Sequence, residues 1–322
     1  MVVTVVDAAR LVAGVDYPGT LQELSSWFGT EAACRAYLEQ LRWPDGFACP
    51  RCDGRDAWRT AEGLFLCVRC RRKVSVTAGT LFHRSKIPLT TWFCAAWLMC
   101  ADKGGVAALS VQRELGLGSY KTAWMMAQKL RRAMVIPSRE KLSGLVEVDE
   151  TYVGAREPGV DGRLVYGKAI VVIAVELHEH RLGRARLAIV PGATKAHIYD
   201  FVTRTVQPGS TIRTDGWSLY NEIADVGYVH EKIAVKHTGL QAHEALPGVH
   251  RVASLLKRFI AGTLHSGISH DHLDYYLDEF VFRFNRRSSR SRGLLFYRLL
   301  EQAVHTDPAP FEEIVGGDAA YI

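Results

Sequence analysis

No run of about eighteen apolar residues occurs anywhere in the chain, which excludes a helix that crosses a membrane. Residues 1–12 lack the basic start and small-residue cleavage site of a secretory signal, so the expected location is cytoplasmic. There is no internal repeat and no low-complexity stretch, which sets aside repeat architectures. Cysteine is scarce, seven in 322 residues, and an odd count argues against a disulfide framework. Four of the seven fall in two tight pairs, a pattern that belongs to metal binding in a reducing compartment.

A chain of 322 residues has room for two domains or more. Hydrophobic residues make up 48% and charged residues 23%, the composition of a folded protein. A net charge of +6 raises the expectation of a polyanionic partner, and with it a nucleoid-associated location. The charge is unevenly spread, with nine Lys and Arg against three acids from Arg51 to Lys86, and nine against four from His250 to Arg298. One such cluster alone is equally a solvated face.

The spacing of Leu21, Leu24, Trp27, Phe28, Cys34, Tyr37, Leu38 and Leu41 predicts one or two short helices over 20–42. Residues 43–46 break the pattern as a turn, and 47–82 are short, glycine-punctuated and β-like. From Thr90 the pattern is helical: a buried helix bearing Trp92, Phe93, Ala96 and Trp97, a short helix over 110–115, and a basic helix over 120–135 stopped by Pro137. After Ser143 the pattern is α/β. Strands are expected at 145–153, 169–176, 184–190 and 211–214, with a helix over 195–206. The final third is mostly helical, over 248–262 and 270–283, and a tail follows about His305.

Cys49 and Cys52 form one CxxC knuckle and Cys67 and Cys70 another, fourteen residues later. A CxxC turn aims two thiolates at one point, and two such turns complete the tetrahedron preferred by Zn²⁺. Four protein ligands close the site, so the predicted metal is structural. Basic residues Arg51, Arg69, Arg71, Arg72 and Lys73 lie in or beside the knuckles. Cys34, Cys94 and Cys100 sit on apolar helix faces and read as core.

Residues 106–116, the turn at 116–119 and the basic helix after it have helix-turn-helix proportions. Lys121, Gln128, Lys129, Arg131 and Arg132 on that second helix are the candidates to meet phosphates or base edges. Many helical hairpins look the same; the neighbouring zinc ribbon is what favours DNA.

Asp149 interrupts an apolar strand, alternating with Val146 and Val148, and Asp215 stands just past another short strand. Two carboxylates at strand ends can hold Mg²⁺, a hard cation that takes oxygen ligands. Paired ions of that kind stabilise an in-line phosphoryl displacement. Each Asp alone is more often a cap or an ion-pair partner. His250 follows Asp215 by thirty-five residues, and Lys257 lies almost two helical turns further on the same face, with Ser254 between them.

With these residues in view, the chain resembles the bacterial insertion-sequence transposases of the DDE superfamily that pair an N-terminal zinc ribbon with an RNase H-like core. The resemblance runs through 42–47, 119–124, 148–154, 214–217, 257–265 and 276–287, nearly the whole chain. It implies a catalytic pattern of acid, acid, third ligand and lysine on Asp149, Asp215, His250 and Lys257. The departure is His250, where many relatives carry Glu or Asn; imidazole suits Mn²⁺ better than Mg²⁺, and Glu244 and Glu279 are reserve acids. It further implies a structural Zn²⁺, a catalytic Mg²⁺ or Mn²⁺, and cleavage at an element's terminal inverted repeats followed by strand transfer into target DNA. Pairing two ends implies a homodimer or higher assembly on double-stranded DNA. Arg258, Arg286 and Arg287 extend the expected DNA track.

The expected organisation is multidomain, α+β to α/β. It comprises a helical segment (1–46), zinc ribbon (47–87), helix-turn-helix domain (88–142), RNase H-like catalytic domain (143–305) and tail (306–322). Two rival readings remain: a transposase-derived protein that binds DNA without cutting it, and an RNase H-like nuclease that cleaves without joining. A serine recombinase is disfavoured, since no catalytic-serine motif stands out at a strand end.

Overall fold

Thr20 and Thr30 each start a helix by the same device: an extended backbone, with the hydroxyl accepting from the N–H three residues on, Glu23 at 3.1 Å and Ala33 at 3.2 Å. The computed structural model describes residues 11–102, 104–136, 139–154, 168–179, 181–233, 242–264, 272–289 and 291–316. It divides into two units, one running to residue 136 and taking up 288–316, the other holding 137–287.

In the first unit, α1 (Leu21–Trp27) and α2 (Glu31–Arg42) precede a three-stranded antiparallel sheet of β1 (Ala57–Arg59), β2 (Phe65–Cys67) and β3 (Lys73–Val74). α3 (Leu89–Ala101) is apolar nearly all round, so it must be enclosed on several sides. α4 (Ala108–Glu114) and α5 (Tyr120–Arg132) follow as a hairpin. The stop expected at Pro137 lies outside the described residues.

In the second unit, β4 (Leu145–Val153), β5 (Ala169–His178) and β6 (Arg181–Val190) form an antiparallel meander. α6 (Lys195–Thr205) then crosses over to β7 (Thr211–Thr214), which pairs parallel to β4, and β8 (Val229–Lys232) adds parallel to β7. The sheet order is β6-β5-β4-β7-β8, with β4 central. The short α7 (Ala242–Ala245), then α8 (Pro247–Leu264) and α9 (Leu273–Asn285) complete the unit; the start expected at His270 lies outside the described residues. α6 and Tyr220 cover one sheet face over Val146, Val148, Val172 and Ala174. α8 and α9 cover the other, over Val171, Ile173, Val175 and Leu187. With both faces covered, the strands carry near-continuous apolar runs. Among the described residues, no helix is long and apolar enough to cross a membrane.

Three expectations need correction. Residues 288–305, grouped by sequence with the catalytic domain, belong to the first unit. There α10 (Arg292–Ala303) buries Leu295, Phe296, Leu299 and Leu300, and Phe296 meets Phe28, Phe93 and Trp97 with ring centroids 5.7–6.0 Å apart. Gly293 permits this approach, because a Cβ there would fall 1.8 Å from the Pro18 carbonyl oxygen. The expected tail holds a further helix, α11 (Phe311–Val315), with Ile314 buried. β8 was not foreseen: its four residues, Val-His-Glu-Lys, carry no strand-like apolar alternation.

Candidate active site

Side chains alternate across a strand, so Glu147, Asp149 and Thr151 of β4 share the face turned toward α8. Asp149 stands where β4 outruns its pairing with β7, whose recorded partners end at Glu147 and Arg213. Carrying that register two residues on brings Asp215 level with Asp149. Gly216, at φ 86°, turns the chain away, and the Asp215 carboxylate accepts from the Trp217 N–H at 2.9 Å. Two acids distant in sequence therefore come level on neighbouring strands, Asp149 in the middle of β4 and Asp215 just past the end of β7.

α8 supplies the other wall. Its first turn brings His250 Nε2 to 3.8 Å from Asp149 Oδ2, with the two side chains 35% and 20% exposed. That separation is too long for a hydrogen bond. Ser254 and Lys257 follow on the same helix face and, with Asp149, Glu150 and His250, line a cavity of about 390 Å³. Lys257 is exposed, and Asp215 lies outside this lining. Sequence reasoning had placed these four residues in one site; the fold brings Asp149, His250 and Lys257 onto one cavity and sets Asp215 on the adjoining strand end.

Two residues at the site escaped the sequence. Tyr220, fully buried, donates its phenolic hydrogen to Glu150 Oε2 at 2.9 Å. Burial raises its pKa well above the ordinary tyrosine value, and Glu150, Asp149 and Asp215 push it further. Three carboxylates, Glu150, Asp149 and Asp215, thus act on one buried phenol. Glu147 is also fully buried, its pKa raised by burial against the opposing N–H groups of Val249 and Gly248 and the Arg213 charge. Neither residue had a signal in the sequence: Glu147 reads like Asp149, and Tyr220 like any core aromatic.

In the ribbon, Cys49 and Cys70 Sγ atoms lie 3.6 Å apart, as do those of Cys52 and Cys67, and all four fall within 4.8 Å of one another. A zinc–thiolate tetrahedron with bonds of ~2.3 Å has edges of ~3.8 Å. The donors therefore fit a structural Zn²⁺. The two knuckles repeat one backbone design: Asp53 N–H donates to Cys49 O and Arg71 N–H to Cys67 O, each at 2.9 Å, and both Asp53 and Arg71 sit at φ 56°. Among the described residues, this is the one group of three or more His, Cys, Asp or Glu gathered so closely; Asp149, Asp215 and His250 stand more widely.

A model of the ISXO2-like transposase domain matches residues 141–285, and one of the transposase zinc-ribbon domain matches residues 29–73. Together they account for more than half of the chain, and each falls on one of the two sites just described. The chain belongs to the insertion-sequence DDE transposases. It is also similar to an uncharacterized protein in the transposable element ISH50 of Halobacterium salinarum, 27% identical over 277 residues that span 80% of this chain and 91% of that protein.

Within this transposase the expected DNA-contacting residues fare unequally. Gln128 and Arg131 are fully buried, and Arg131 donates to the Val106 carbonyl at 3.0 Å. Both are corrected from DNA contacts to structural residues: Arg131 ties α5 to the segment before α4, and Gln128 Oε1 accepts from Arg131 at 3.3 Å. The outward side of α5 meets α11: Lys121 Nζ lies 3.8 Å from the Phe311 ring centre, and Arg132 pairs with Glu313. Lys129 is half-buried, which lowers its pKa. In the second unit Arg258 is exposed, Arg286 lies over Phe282, and Arg287 donates to the Leu182 and Gly183 carbonyls. Of the reserve acids, Glu279 is fully buried and bonded to Arg283 at 2.7 Å, so it is corrected to a structural ion pair. Glu244, exposed on α7, does not line the cavity.

Proposed function

We propose that this transposase is a metal-dependent polynucleotidyl transferase that cuts the ends of its element and joins them to target DNA. The observation that carries the proposal is the approach of His250 to Asp149, 3.8 Å across from helix to strand and open to solvent through one cavity. The sheet order, with a three-stranded antiparallel meander followed by two parallel strands, supports an RNase H-like core.

Asp149, Asp215 and His250 would hold the catalytic ions, Mg²⁺ through the carboxylates and Mn²⁺ the more readily with an imidazole in the set. Such ions polarise the scissile phosphate and stabilise the charges of an in-line displacement. Lys257, two turns beyond His250 and exposed, would meet a phosphate beside the scissile bond. Arg258 would extend that contact along the backbone.

For DNA capture in the first unit we favour the ribbon over α5. Arg51, Arg55, Arg69, Arg71 and Arg72 are all exposed there, and Trp58 is 55% exposed with the Arg71 guanidinium 4.8 Å from its ring centre. Two copies on DNA would bring two ends together.

The test is strand transfer of labelled element ends into a plasmid with Mg²⁺ or Mn²⁺, comparing wild type with Asp149→Ala, Asp215→Ala and His250→Ala. Joined products that vanish in all three variants support the proposal. Ends bound but neither cut nor joined under either metal would give the reading to the non-cutting DNA binder; cut but unjoined ends would give it to the nuclease.

A further inference from the structure

We propose that Glu147 is a positioning residue for the active site, anchoring the N-terminus of α8 so that His250 and Lys257 are held opposite Asp149. The inference rests on the catalytic reading above and adds a residue that acts through the helix rather than on the substrate.

Glu147 lies in the central strand, fully buried, one side-chain step back from Asp149 on the same face. A carboxylate in such a place is unfavourable unless something there requires it. The requirement is the end of α8. A helix begins with N–H groups that have no partner within it, and Pro247, the first residue of α8, contributes none. Val249 N–H, the next but one, donates to Glu147 Oε2 at 2.9 Å. The positive end of the helix dipole meets the same carboxylate.

Gly248 makes the approach possible. A Cβ at that position would lie 2.7 Å from Glu147 Oε2, 2.9 Å from Leu177 Cδ2 and 3.2 Å from Val175 Cγ1. From the other side, Arg213 of β7 sits 3.8 Å from Glu147 Oε1 and bonds Glu231 of β8 through Nε and Nη2 at 3.1 and 3.0 Å. A line of polar side chains, Glu231, Arg213 and Glu147, thus runs across three strands and ends on the helix. His250 lies in the first turn, where displacement of that end is felt in full, and Lys257 follows rigidly on the same helix.

The experiment uses the full-length protein with Glu147→Gln, Glu147→Ala and Gly248→Ala, and three readouts: Mn²⁺ binding without DNA, the split of strand-transfer kcat from KM for element ends, and Tm. Misplacing a reacting group by about 1 Å can lower rates ~100-fold. The expected result is a fall in kcat of about ten- to a hundred-fold, unchanged KM, and a rise in the Mn²⁺ half-saturation that excess Mn²⁺ partly rescues. Gly248→Ala perturbs the contact from the helix side and should reproduce the pattern if Glu147→Ala fails to fold. Wild-type kcat and Mn²⁺ affinity in the folded Gln and Gly248→Ala variants would overturn the anchor, as would losses that follow Tm and ignore Mn²⁺ concentration. If the wild type itself neither binds Mn²⁺ nor joins ends, the catalytic reading falls first.

Discussion

Glu176 shows how one carboxylate in this sheet is held charged. It is almost fully buried and accepts from the N–H of Ser143 and of Arg184, each at 3.0 Å, and from the Arg184 guanidinium at 2.8 Å. Burial pushes its pKa up, but the Arg184 guanidinium and the two N–H groups outweigh it, and the net shift is downward. A depressed pKa in the folded state means stability that is present above the ordinary glutamate range and lost as the pH falls through the folded value. Glu176→Gln should therefore lower stability by about 1–3 kcal/mol at pH 7. The gap to wild type should narrow below about pH 4; equal Tm differences at pH 7 and pH 3.5 would rule this out. Side chains like this one were illegible in the sequence. The four zinc cysteines were legible because spacing alone fixes their geometry, whereas Glu147, Asp149 and Glu176 look alike until a β-bulge at 175–177 or a helix end gives each its partner.

Among the elements, the proposal moves DNA capture from α5 to the ribbon. Strongly basic helices invite a DNA reading, yet α5 buries Gln128 and Arg131 and meets α11 through Lys121 and Arg132. Arg131→Ala should destabilise the first unit, leaving a buried carbonyl at Val106 without its donor, at a loss of about 1–3 kcal/mol. Trp58→Ala and Arg71→Ala should leave Tm nearly unchanged and weaken binding to element ends, with Arg71→Ala lowering the salt slope by about one. Titration of labelled ends at several salt concentrations, beside melting curves, separates the two patterns; weakened ends with Arg131→Ala at unchanged Tm would restore α5 as the reader. The long strands and helices were legible because their apolar periodicity is strong, β4 and β7 to the residue. The four-residue β8 was missed, because parallel pairing with β7 rather than its own pattern defines it.

Across the whole molecule, the zinc site and the proposed catalytic metal site fall in different units. The ribbon's thiolates lie in the first unit, and Asp149, Asp215 and His250, the proposed ligands of the catalytic ions, lie in the second. Removing zinc by chelation, or by Cys49→Ser, should unfold the ribbon and abolish capture of element ends. Mn²⁺ binding by the second unit should persist, which calorimetry with Mn²⁺ alone would show; simultaneous loss of both would mean that the units fold as one. The sequence anticipated two kinds of domain but not how the chain is shared between them, since nothing local marks α10 as the partner of α3.

That sharing has a consequence for how the protein is made. The first unit is finished only by residues 288–316, which leave the ribosome after residues 137–287 of the second. Until then Phe28, Phe93 and Trp97 lack the Phe296 ring that packs on them. A message cut short within the transposase domain would thus yield an unfinished, aggregation-prone front end rather than a free-standing competitor for the element's ends.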